Sequence, residues 1–557
     1  MRLLLLAHAF NSLTQRLWLE LEADGHEVTL EYDINDAVTR AAVQMARPDL
    51  VIAPFLKRAI PEDVWRNVPC LIVHPGPLGD KGPSALDHAV QAGRPQWGVT
   101  VLQAVAEMDA GAVWATVNFP MRRAAKSSIY RREVTEAAVR ALRSALNRWE
   151  GGLGRLSDAN HGVEDAKPAM TQAARAVDWA AMDTTEVVAR IRAADGQPGL
   201  RDASLGAEVW LHDAWPGEGR GTPGAVLGQR NEAVLRATRD GAVWIGAMTL
   251  RLPDGKRLKL PATRAMALRG LPLPPDTDAP GAPNGVSVTR HGDVALIRFP
   301  FLNGAMSVAR SRALEAAIRQ ASASDARALL LTGGPEFWSN GIDLATIEAA
   351  ASPPEESLAA IEAIDDVCLA LLEARQWVVA GMQGNAGAGG VFLALCADRV
   401  IARDGVVLSP HYKNMGNLYG SEYWTHTLPR RLGPEGAARL METRMPLLAR
   451  EAVRIGLVDG TRKGTPEGVE AALLAELMAE TAAPGFDARL AEKARTRPDA
   501  ATLAAARARE IARMRLNFFG FDTSYHVARL NFIAGVPKSR TPLHLARHRQ
   551  APGRRAS

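Results

Sequence analysis

Short apolar runs alternate with stretches of helical spacing over the first 118 residues of the chain. The runs that we predict as strands are residues 3–7, 27–32, 50–53, 70–73 and 99–103. Apolar residues recur with helical spacing at 13–23 and 37–46, between the first three strands. Strands that alternate with helices are typical of α/β proteins with a parallel, doubly wound sheet.

Beyond residue 118 the pattern changes more than once. We expect an α/β domain at 1–167 that ends in a Gly- and Asp-rich stretch from residue 151, and then a small β-barrel domain at 168–270. Five prolines within 15 residues mark 271–285 as a linker. Alternation of strands and helices resumes at 286, so the part at 286–557 is predicted to be a second α/β domain with a helical tail.

Composition fits a folded, soluble protein, since 47% of the residues are hydrophobic and 23% are charged. The uncharged run at 376–397 is long enough to cross a bilayer, but a glycine-rich turn interrupts it, so we predict buried core and no membrane contact. Three cysteines favour a reducing cytoplasm. The net charge of +5 predicts no nucleic-acid partner, and the basic residues at 540–555 are interpreted as a frayed terminus.

A first set of candidate residues begins with His74, which ends the strand predicted at 70–73. Open α/β sheets bind their ligands at the carboxyl ends of strands. A Gly/Pro loop, a helix, the strand Gly98-Val99-Thr100 and the turn Met108-Asp109-Ala110-Gly111 follow in this order. This order resembles the formyltetrahydrofolate-dependent formyltransferases over about residues 1–268, which implies that His74 and Asp109 are catalytic and that 10-formyltetrahydrofolate is the formyl donor.

The chain departs from that family at one important position. The asparagine that polarises the formyl oxygen in the family falls on Ile72, and a lost donor of this kind is worth about 3 kcal/mol in a transition state. Either His74 carries this role alone, or the acceptor is easier to formylate than an amine. A thiol fits the second alternative, because its pKa of about 8.5 gives a useful thiolate fraction near neutral pH.

Weaker candidates surround the first predicted strand. Asn11, Gln15 and Arg16 follow it, and they either contact folate or pantetheine or simply start the next helix. Arg131 either binds a carboxylate or phosphate of a ligand or is a solvated arginine.

A second set of candidate residues lies beyond the proline-rich segment. Residues 336–344 and 384–390 resemble the Phe-x-x-Gly-x-Asp-Leu segment and the glycine-rich turn of the enoyl-CoA hydratase/isomerase (crotonase) superfamily. The resemblance implies that the backbone N–H groups of Ile342 and Gly389 form an oxyanion hole for a thioester carbonyl. Glycine suits such a site because it lets the backbone approach a ligand closely.

The glutamates that add water in hydratases are absent from this chain. The first falls on Phe392, and the second falls near His411 and Tyr412. Hydration of a double bond needs carboxylates for general acid–base catalysis, so we expect this part to bind an acyl-CoA and to catalyse another reaction. Tyr412 and Glu422 are the candidates for that chemistry; the alternative is a packing tyrosine and a surface glutamate.

The chain combines a formyltransferase-like half with a crotonase-like half that lacks the hydratase glutamates. This combination resembles the HypX/HoxX family of NiFe-hydrogenase maturation proteins, and family-like stretches include residues 10–16, 73–76 and 418–424. The resemblance implies that formyl passes from 10-formyltetrahydrofolate to coenzyme A and that formyl-CoA then splits into CO and CoA. The CO would become a ligand of the hydrogenase iron. It also implies small-molecule substrates, and as protein partners the large-subunit precursor or other maturation factors.

Three other interpretations remain open at this stage. The chain is alternatively a hydrolase that releases formate, a methionyl-tRNA formyltransferase with an added acyl-CoA domain, or a scaffold without catalysis. Ile72 and Phe392 favour the scaffold, whereas the mixed charges at 168–270 disfavour a tRNA substrate. We expect no metal site, because His544 and His548 have helical spacing but no further ligand cluster near them.

Overall fold

The structure is a computed structural model that describes residues 1–160, 167–252 and 254–550. It contains two compact units. The first comprises residues 1–250, Pro261–Gly281 and the described chain from Pro537 onward. The second comprises Arg251–Leu260 and Ala282–Val536.

The first unit begins with an α/β domain. Its strands are β1 (Arg2–Ala7), β2 (Glu27–Tyr32), β3 (Leu50–Phe55), β4 (Cys70–His74), β5 (Gln96–Gln103) and β6 (Val113–Pro120). Its helices are α1 (Ser12–Ala23), α2 (Asp36–Ala46), α3 (Glu62–Trp65), α4 (Ala85–Gln91), α5 (Lys126–Ile129) and α6 (Thr135–Glu150), with a π-helical turn at Tyr130–Val134. The predicted alternation of strands and helices is confirmed.

These strands form one sheet in the order β2-β1-β3-β4-β5-β6. The pairs from β2 to β4 are parallel, as predicted, whereas β5 is antiparallel to both β4 and β6. The connection from β5 to β6 is too short for a crossover helix, so the chain returns antiparallel. The carboxyl end of β4 lies beside the middle of β5, where His74 pairs with Thr100.

The second part of the first unit is mainly antiparallel. It contains α7 (Gln172–Arg175), α8 (Thr184–Ala194), β7 (Leu200–Asp202), β8 (Val209–Gly217), β9 (Val226–Arg230), β10 (Ala233–Ala237), β11 (Ala242–Arg251) and α9 (Ala262–Leu268). The strand β12 (Arg257–Pro261) precedes α9 in the sequence, and all but its last residue belong to the second unit. Five of the strands lie in the order β7-β8-β11-β10-β9. The short strands predicted as a small barrel are thus confirmed as strands, and they form an antiparallel sheet.

The proline-rich segment is fixed to this sheet. The carbonyl of Pro275 accepts the N–H of Gln229 at 2.9 Å, and that of Pro280 accepts the indole N–H of Trp244 at 2.8 Å. Prolines lack an N–H but keep their carbonyl as an acceptor, so they can line the edge strand β9. At least this part of the predicted linker is therefore packed structure. The other predicted linker, 151–167, lies partly outside the described residues.

The basic C-terminal segment is not a frayed end, which corrects the prediction for its described part, residues 540–550. The carbonyl of Leu545 accepts the N–H of Leu30, and Thr541 Oγ1 accepts the N–H of Tyr32 at 2.8 Å. His548 and Arg549 bind the buried carboxylate of Glu31. Because β2 is an edge strand, its outer N–H groups need acceptors, and this segment supplies them. Residues 551–555 lie outside the described residues.

The second unit contains two sheets. Its strands are β13 (Ser287–His291), β14 (Val294–Arg298), β15 (Ala328–Thr332), β16 (Phe337–Ser339), β17 (Trp377–Met382), β18 (Asn385–Gly387), β19 (Arg399–Arg403), β20 (Val407–Ser409), β21 (Leu447–Leu448) and β22 (Gly460–Arg462). Its helices are α10 (Val308–Ala323), α11 (Leu344–Glu348), α12 (Pro353–Glu373), α13 (Gly389–Leu395), α14 (Trp424–Glu442), α15 (Ala449–Arg454), α16 (Pro466–Ala482), α17 (Phe486–Thr496), α18 (Ala500–Phe519) and α19 (Ser524–Ile533). The sheet orders are β13-β14-β15-β17-β19-β22 and β16-β18-β20-β21.

The uncharged run at 376–397 forms β17, β18 and α13 in the interior of the second unit. Every residue of α13 is buried, and Val391, Phe392 and Leu393 belong to the large hydrophobic core. The prediction of buried core is confirmed. In the described ranges of the chain, we find no helix with the length and apolar character needed to cross a bilayer.

Candidate active sites

The first candidate site centres on His74, the last residue of β4. Its side chain is only 5% exposed and lies between two carboxyl groups. The ring Nε2 is 2.9 Å from Asp80 Oδ2, and Nδ1 is 3.5 Å from Asp109 Oδ1. The predicted pair His74 and Asp109 therefore lies together, and Asp80 is a third member that sequence reasoning missed.

Local backbone geometry makes room for this arrangement. A methyl group on the Cα of Gly76 would lie 2.3 Å from Asp80 Oδ2 and 2.4 Å from His74 Nε2, so only glycine fits there. Asp109 has a positive φ of 55°, as suits a tight turn, and its Oδ2 accepts the N–H of Gly82 at 3.1 Å. The Gly/Pro loop thus carries Asp80 to the imidazole and anchors the carboxyl of Asp109 beside it.

Asn160 ties the two aspartate loops together. Its side-chain Nδ2 donates to the carbonyls of Asp80 and Asp109 at 3.1 and 2.9 Å, and its Oδ1 accepts the N–H of Gly79 at 2.6 Å. The side chain is fully buried. A residue in the segment predicted as a linker therefore organises the candidate site.

Ile72 takes an apolar role beside His74. Both residues belong to β4 and lie two positions apart, so their side chains project from the same face of the sheet. Ile72 packs against a hydrophobic cluster that includes Leu4, Val51 and Ala104. The position therefore offers no side-chain donor to a formyl oxygen.

The weaker candidates near α1 have structural contacts. Asn11 is the N-cap of α1, where its Oδ1 accepts the N–H of Thr14 at 2.9 Å. Gln15 donates to the carbonyl of Phe10 at 2.9 Å, and Arg16 pairs with Glu20 at 2.6 Å. Asn11 therefore starts a helix, the alternative left open by its sequence position.

Arg16 and Arg131 differ in their surroundings. Arg16 also reaches Glu136 at 3.2 Å, so its guanidinium is neutralised by two carboxylates. Arg131 lies in the π-helical turn at Tyr130–Val134. π-Helical turns are rare in proteins, and those that occur are often found at functional sites. Arg131 therefore remains a candidate ligand-binding residue.

The second candidate site begins at two adjacent backbone segments of the second unit. Gly341 has a φ of 75°, and a methyl group on its Cα would lie 3.4 Å from the backbone nitrogen of Gly389. The residues on either side of Ile342 bridge to Met306, through the carbonyl of Gly341 and the N–H of Asp343. This bridge does not use the N–H of Ile342. The segments that carry the predicted oxyanion donors Ile342 and Gly389 therefore lie side by side.

The carboxyl group of Glu422 closes this site. A methyl group on the Cα of Gly389 would lie 2.0 Å from Glu422 Oε1, so the carboxyl is in contact with the glycine-rich turn. The hydroxyl of Tyr412 donates to Glu422 Oε2, which also accepts the N–H of Ser421 at 3.1 Å. Glu422 is 1% exposed, so the alternative of a surface glutamate is wrong.

Phe392 is the residue predicted to stand where hydratases carry their first catalytic glutamate. Its ring is fully buried and stacks on that of Tyr412, with centroids 5.3 Å apart and planes inclined by 17°. Gly420 packs on the same tyrosine, since a methyl group on its Cα would lie 2.0 Å from Tyr412 Cε2. The tyrosine ring is therefore packed between Phe392 and Gly420, and its hydroxyl group contacts Glu422.

Buried acidic groups surround Glu422. Burial, and next the charge of Asp365, raise the pKa of Glu422 to about 8. Burial also raises the pKa of Asp365 to about 6 and that of Glu510 to about 7. The pKa of the Tyr412 phenol is raised well above its ordinary value, first by burial and then by the charge of Glu422. Tyr412 therefore stays a hydrogen-bond donor, and Glu422 can exchange a proton near physiological pH.

Three protein-family models match the chain. The formyl transferase model matches residues 27–146, and the model of the formyl transferase C-terminal domain matches residues 169–264. The enoyl-CoA hydratase/isomerase model matches residues 290–511. The His74 site thus lies within a formyl transferase domain, and the Glu422 site lies within a hydratase/isomerase domain.

One relative covers the whole length of the chain. The hydrogenase maturation factor HoxX of Bradyrhizobium diazoefficiens is 51% identical over 563 residues, which cover 100% of this chain and 99% of the relative. The chain belongs to the HypX/HoxX family of hydrogenase maturation factors. The predicted family resemblance and the α/β fold class are therefore confirmed.

A solved structure of the HypX/HoxX family also matches almost the whole length of the chain. HypX from Aquifex aeolicus, crystallised in complex with tetrahydrofolic acid, is 45% identical, with a TM-score of 0.95 and coverage of 99% of both chains. A part of the chain is also similar to the methionyl-tRNA formyltransferase of Delftia acidovorans, at 28% identity over 266 residues, which are 46% of this chain and 78% of the relative.

Four residues in this member of the HypX/HoxX family escaped the sequence reasoning: Asp80, Asn160, Asp365 and Glu510. Asp80 had a weak signal, because it lies between glycines six residues after His74. Asp365 lies on the buried, largely apolar face of α12, next to Ile364 and about one turn before Cys368. Within the described parts of the chain, no group of three or more His, Cys, Asp or Glu side chains is arranged to hold a metal ion.

Proposed function

We propose that the protein makes carbon monoxide for hydrogenase maturation in two steps. The first unit transfers a formyl group from 10-formyltetrahydrofolate to the thiol of coenzyme A. The second unit splits formyl-CoA into CO and CoA. Membership of the HypX/HoxX family supports the biological setting, and the crystallised family member binds tetrahydrofolic acid.

In the first step, the thiolate sulfur attacks the formyl carbon, the C–S bond forms, and the C–N10 bond breaks. The proton released by the thiol goes to the folate nitrogen. His74 is the proton carrier, because an imidazole accepts and donates protons near neutral pH. Asp80 and Asp109 hold its two ring nitrogens, and Asn160 fixes their loops.

A thiol acceptor agrees with the apolar residue at position 72. An amine acceptor gains more from a strong oxyanion donor, because it attacks while neutral and leaves a proton to be removed. A thiol near its pKa of about 8.5 is partly ionised before attack. Ile72 therefore supports CoA as the acceptor.

In the second step, formyl-CoA loses its carbon-bound proton and its thiolate. The C–H electron pair stays on carbon, the C–S electron pair leaves with sulfur, and the proton ends on sulfur. The products are CO and the CoA thiol, so neither water nor a redox partner is consumed. We assign Glu422 as the base for the formyl proton and the backbone N–H groups of Ile342 and Gly389 as the oxyanion donors.

The single observation that carries this assignment is the position of the Glu422 carboxyl. Oε1 occupies the place where a methyl group on Gly389 would lie, beside the predicted oxyanion hole, and Oε2 accepts the Tyr412 hydroxyl. A base with a pKa of about 8 matches a thiol with a pKa of about 8.5. The same carboxyl can therefore take the proton from carbon and return it to sulfur.

Exclusion of activated water supports CO as the product over formate. The hydratase glutamate position carries Phe392, which stacks on Tyr412. An apolar ring at that position removes the carboxylate that would activate a water molecule in a hydratase. Membership of the family makes the hydrogenase active-site iron the acceptor of the CO in this proposal.

The test follows one labelled carbon through both steps in the full-length protein. With 10-formyltetrahydrofolate labelled by ¹³C at the formyl group, and CoA, we expect ¹³CO, and no CO when CoA is left out. With unlabelled formyl-CoA alone, we expect CO and free CoA in equal amounts. Labelled formate as the main product would favour a hydrolase and would contradict the proposal.

A further inference from the structure

The loop that carries Glu422 has a strained backbone. Glu422 and Tyr423 have positive φ angles of 63° and 57°, and neither is glycine. Non-glycine residues adopt this left-handed conformation only where their surroundings compensate for its cost. The loop residues Ser421, Glu422 and Tyr423 are all buried in the second unit.

Acidic side chains supply this compensation from two helices. Asp365 on α12 accepts the N–H of Glu422 at 2.9 Å and the hydroxyl of Ser421 at 2.8 Å. Glu510 on α18 accepts the N–H of Tyr423 at 2.9 Å and that of Thr425 at 2.8 Å. Since Ser421 donates its N–H to Glu422 itself, three successive N–H groups are each bound by a different carboxyl.

The two helix carboxyls also act on Glu422 through their charge. Both side chains are 0% exposed, so water screens them poorly. The titratable groups around Glu422 are Tyr412, Asp365 and Cys368 on α12, Cys396 after α13, and Glu510 on α18. One cation, Arg507 on α18, reaches this group through Asp365. The guanidinium of Arg507 is 3.9 Å from the carboxylate of Asp365 and 2.7 Å from that of the neighbouring Asp366.

We propose that Asp365 and Glu510 are positioning residues that present Glu422 to the glycine-rich turn and raise its proton affinity by like charge. This role rests on the proposed function of Glu422 as a base, and it extends that function to a specific control of its protonation. Hydrogen bonds to the loop fix where the carboxyl lies. Buried negative charge fixes when it ionises, because a carboxylate beside another carboxylate is disfavoured.

Isosteric neutral variants separate these two effects. Asp365→Asn keeps an oxygen that can accept the Glu422 N–H but removes the negative charge. Glu510→Gln does the same on the other side of the loop. Asp366→Asn is the matched control, since Asp366 is adjacent in sequence, 41% exposed in its side chain and paired with Arg507.

The readout that does not depend on catalysis is an infrared titration of the substrate-free protein. The carboxylic C=O stretch that disappears in Glu422→Gln belongs to Glu422. We expect its midpoint near pH 8 in the wild type, lower by about one unit in Asp365→Asn, lower by less in Glu510→Gln, and unchanged in Asp366→Asn. The pH profile of CO release from supplied formyl-CoA should shift in parallel.

Two outcomes overturn the proposal, and neither coincides with failure of the proposed function. If Asp365→Asn lowers the rate but leaves the infrared midpoint in place, Asp365 supports only the fold. If Asp365→Asn does not fold, an unchanged midpoint in folded Glu510→Gln overturns the charge effect. If instead the midpoints move as expected while Glu422→Gln still releases CO normally, the assignment of Glu422 as the base is wrong.

Discussion

The His74 site and the Glu422 site place a proton carrier in opposite electrostatic surroundings. In the first unit, an imidazole lies between the carboxyls of Asp80 and Asp109, 2.9 and 3.5 Å away. In the second unit, a carboxyl lies among other buried carboxyls and an aromatic hydroxyl, and its pKa is raised to about 8. An imidazole exchanges protons near neutral pH in ordinary surroundings, whereas a carboxyl must be buried to do so.

The difference suits the two reactions that we propose. Formyl transfer moves a proton between sulfur and nitrogen, so a histidine held by two acceptors is sufficient. Removal of a carbon-bound proton needs a stronger base, and a desolvated carboxylate is stronger than an exposed one. The chain therefore holds an imidazole between two carboxyl groups in one unit and buries several carboxyl groups together in the other.

The largest expected effect comes from removing both polar groups of the second site. The Tyr412→Phe, Glu422→Gln double variant should release CO from formyl-CoA about 10⁴-fold more slowly, the upper range for a general base. Formyl transfer should continue, so formyl-CoA should accumulate when 10-formyltetrahydrofolate and CoA are supplied. Chromatography of CoA thioesters checks this, and CO release at the wild-type rate would contradict the role of the pair.

The converse change is His74→Gln. It should slow formyl transfer to CoA by about 10²–10³-fold, because the amide cannot carry the proton. Release of CO from supplied formyl-CoA should stay at the wild-type rate, which serves as the internal control. Normal turnover from 10-formyltetrahydrofolate in this variant would remove His74 from the catalytic assignment.

The pH dependence of stability should report the raised pKa of the buried Glu422 carboxyl. Between the ordinary pKa of 4.5 and the raised pKa of about 8, Glu422 is protonated in the folded chain and ionised in the unfolded chain. The unfolded state therefore becomes more stable relative to the folded state as pH rises through this window, so the contribution of Glu422 to the free energy of unfolding falls. The free energy of unfolding of the wild type should drop by roughly 2–4 kcal/mol relative to Glu422→Gln from pH 5 to pH 9.

Denaturant unfolding followed by tryptophan fluorescence measures this difference at each pH. The same titration on His74→Gln is a suitable comparison, because it leaves the carboxyl cluster intact. A difference between wild type and Glu422→Gln that does not change with pH would show that Glu422 ionises normally in the folded chain.

The smallest effect concerns Asp80, the aspartate of the first site that the sequence analysis missed. Asp80→Asn should weaken one charged hydrogen bond to His74, worth roughly 1.5 kcal/mol, and slow formyl transfer about tenfold. Asp158→Asn is a matched control, since the Asp158 side chain is 90% exposed. Equal rates in the two variants would mean that Asp109 alone orients the imidazole.

Much of the fold was predictable because it depends on local pattern. The strand that ends in Tyr32 alternates polar and apolar residues, and the strand that ends in His74 is an apolar run. The core helix with Phe392 is an uncharged segment after a glycine-rich turn. The antiparallel return of β5 and the packing of Leu545 on β2 were not predictable, because each depends on which edge is left open by the rest of the sheet.

The same distinction holds for the sites. His74 and Asp109 follow strands at family spacing, and Tyr412 and Glu422 lie ten residues apart, so their order in the sequence reveals them. Asn160 comes from a polar segment without regular pattern, and Asp365 and Glu510 come from helices far away in the sequence. Only the tertiary packing brings such residues to the loop that they hold.

The most direct test of the central claim is a single-turnover measurement with formyl-CoA that carries deuterium on the formyl carbon. If Glu422 removes that hydrogen in the step that forms CO, the deuterated substrate should react more slowly than the protonated one, with a primary isotope effect on CO release. The effect should be expressed most clearly near the Glu422 pKa of about 8. Equal rates for both substrates, together with undiminished CO release by Glu422→Gln, would contradict proton transfer from carbon at this site.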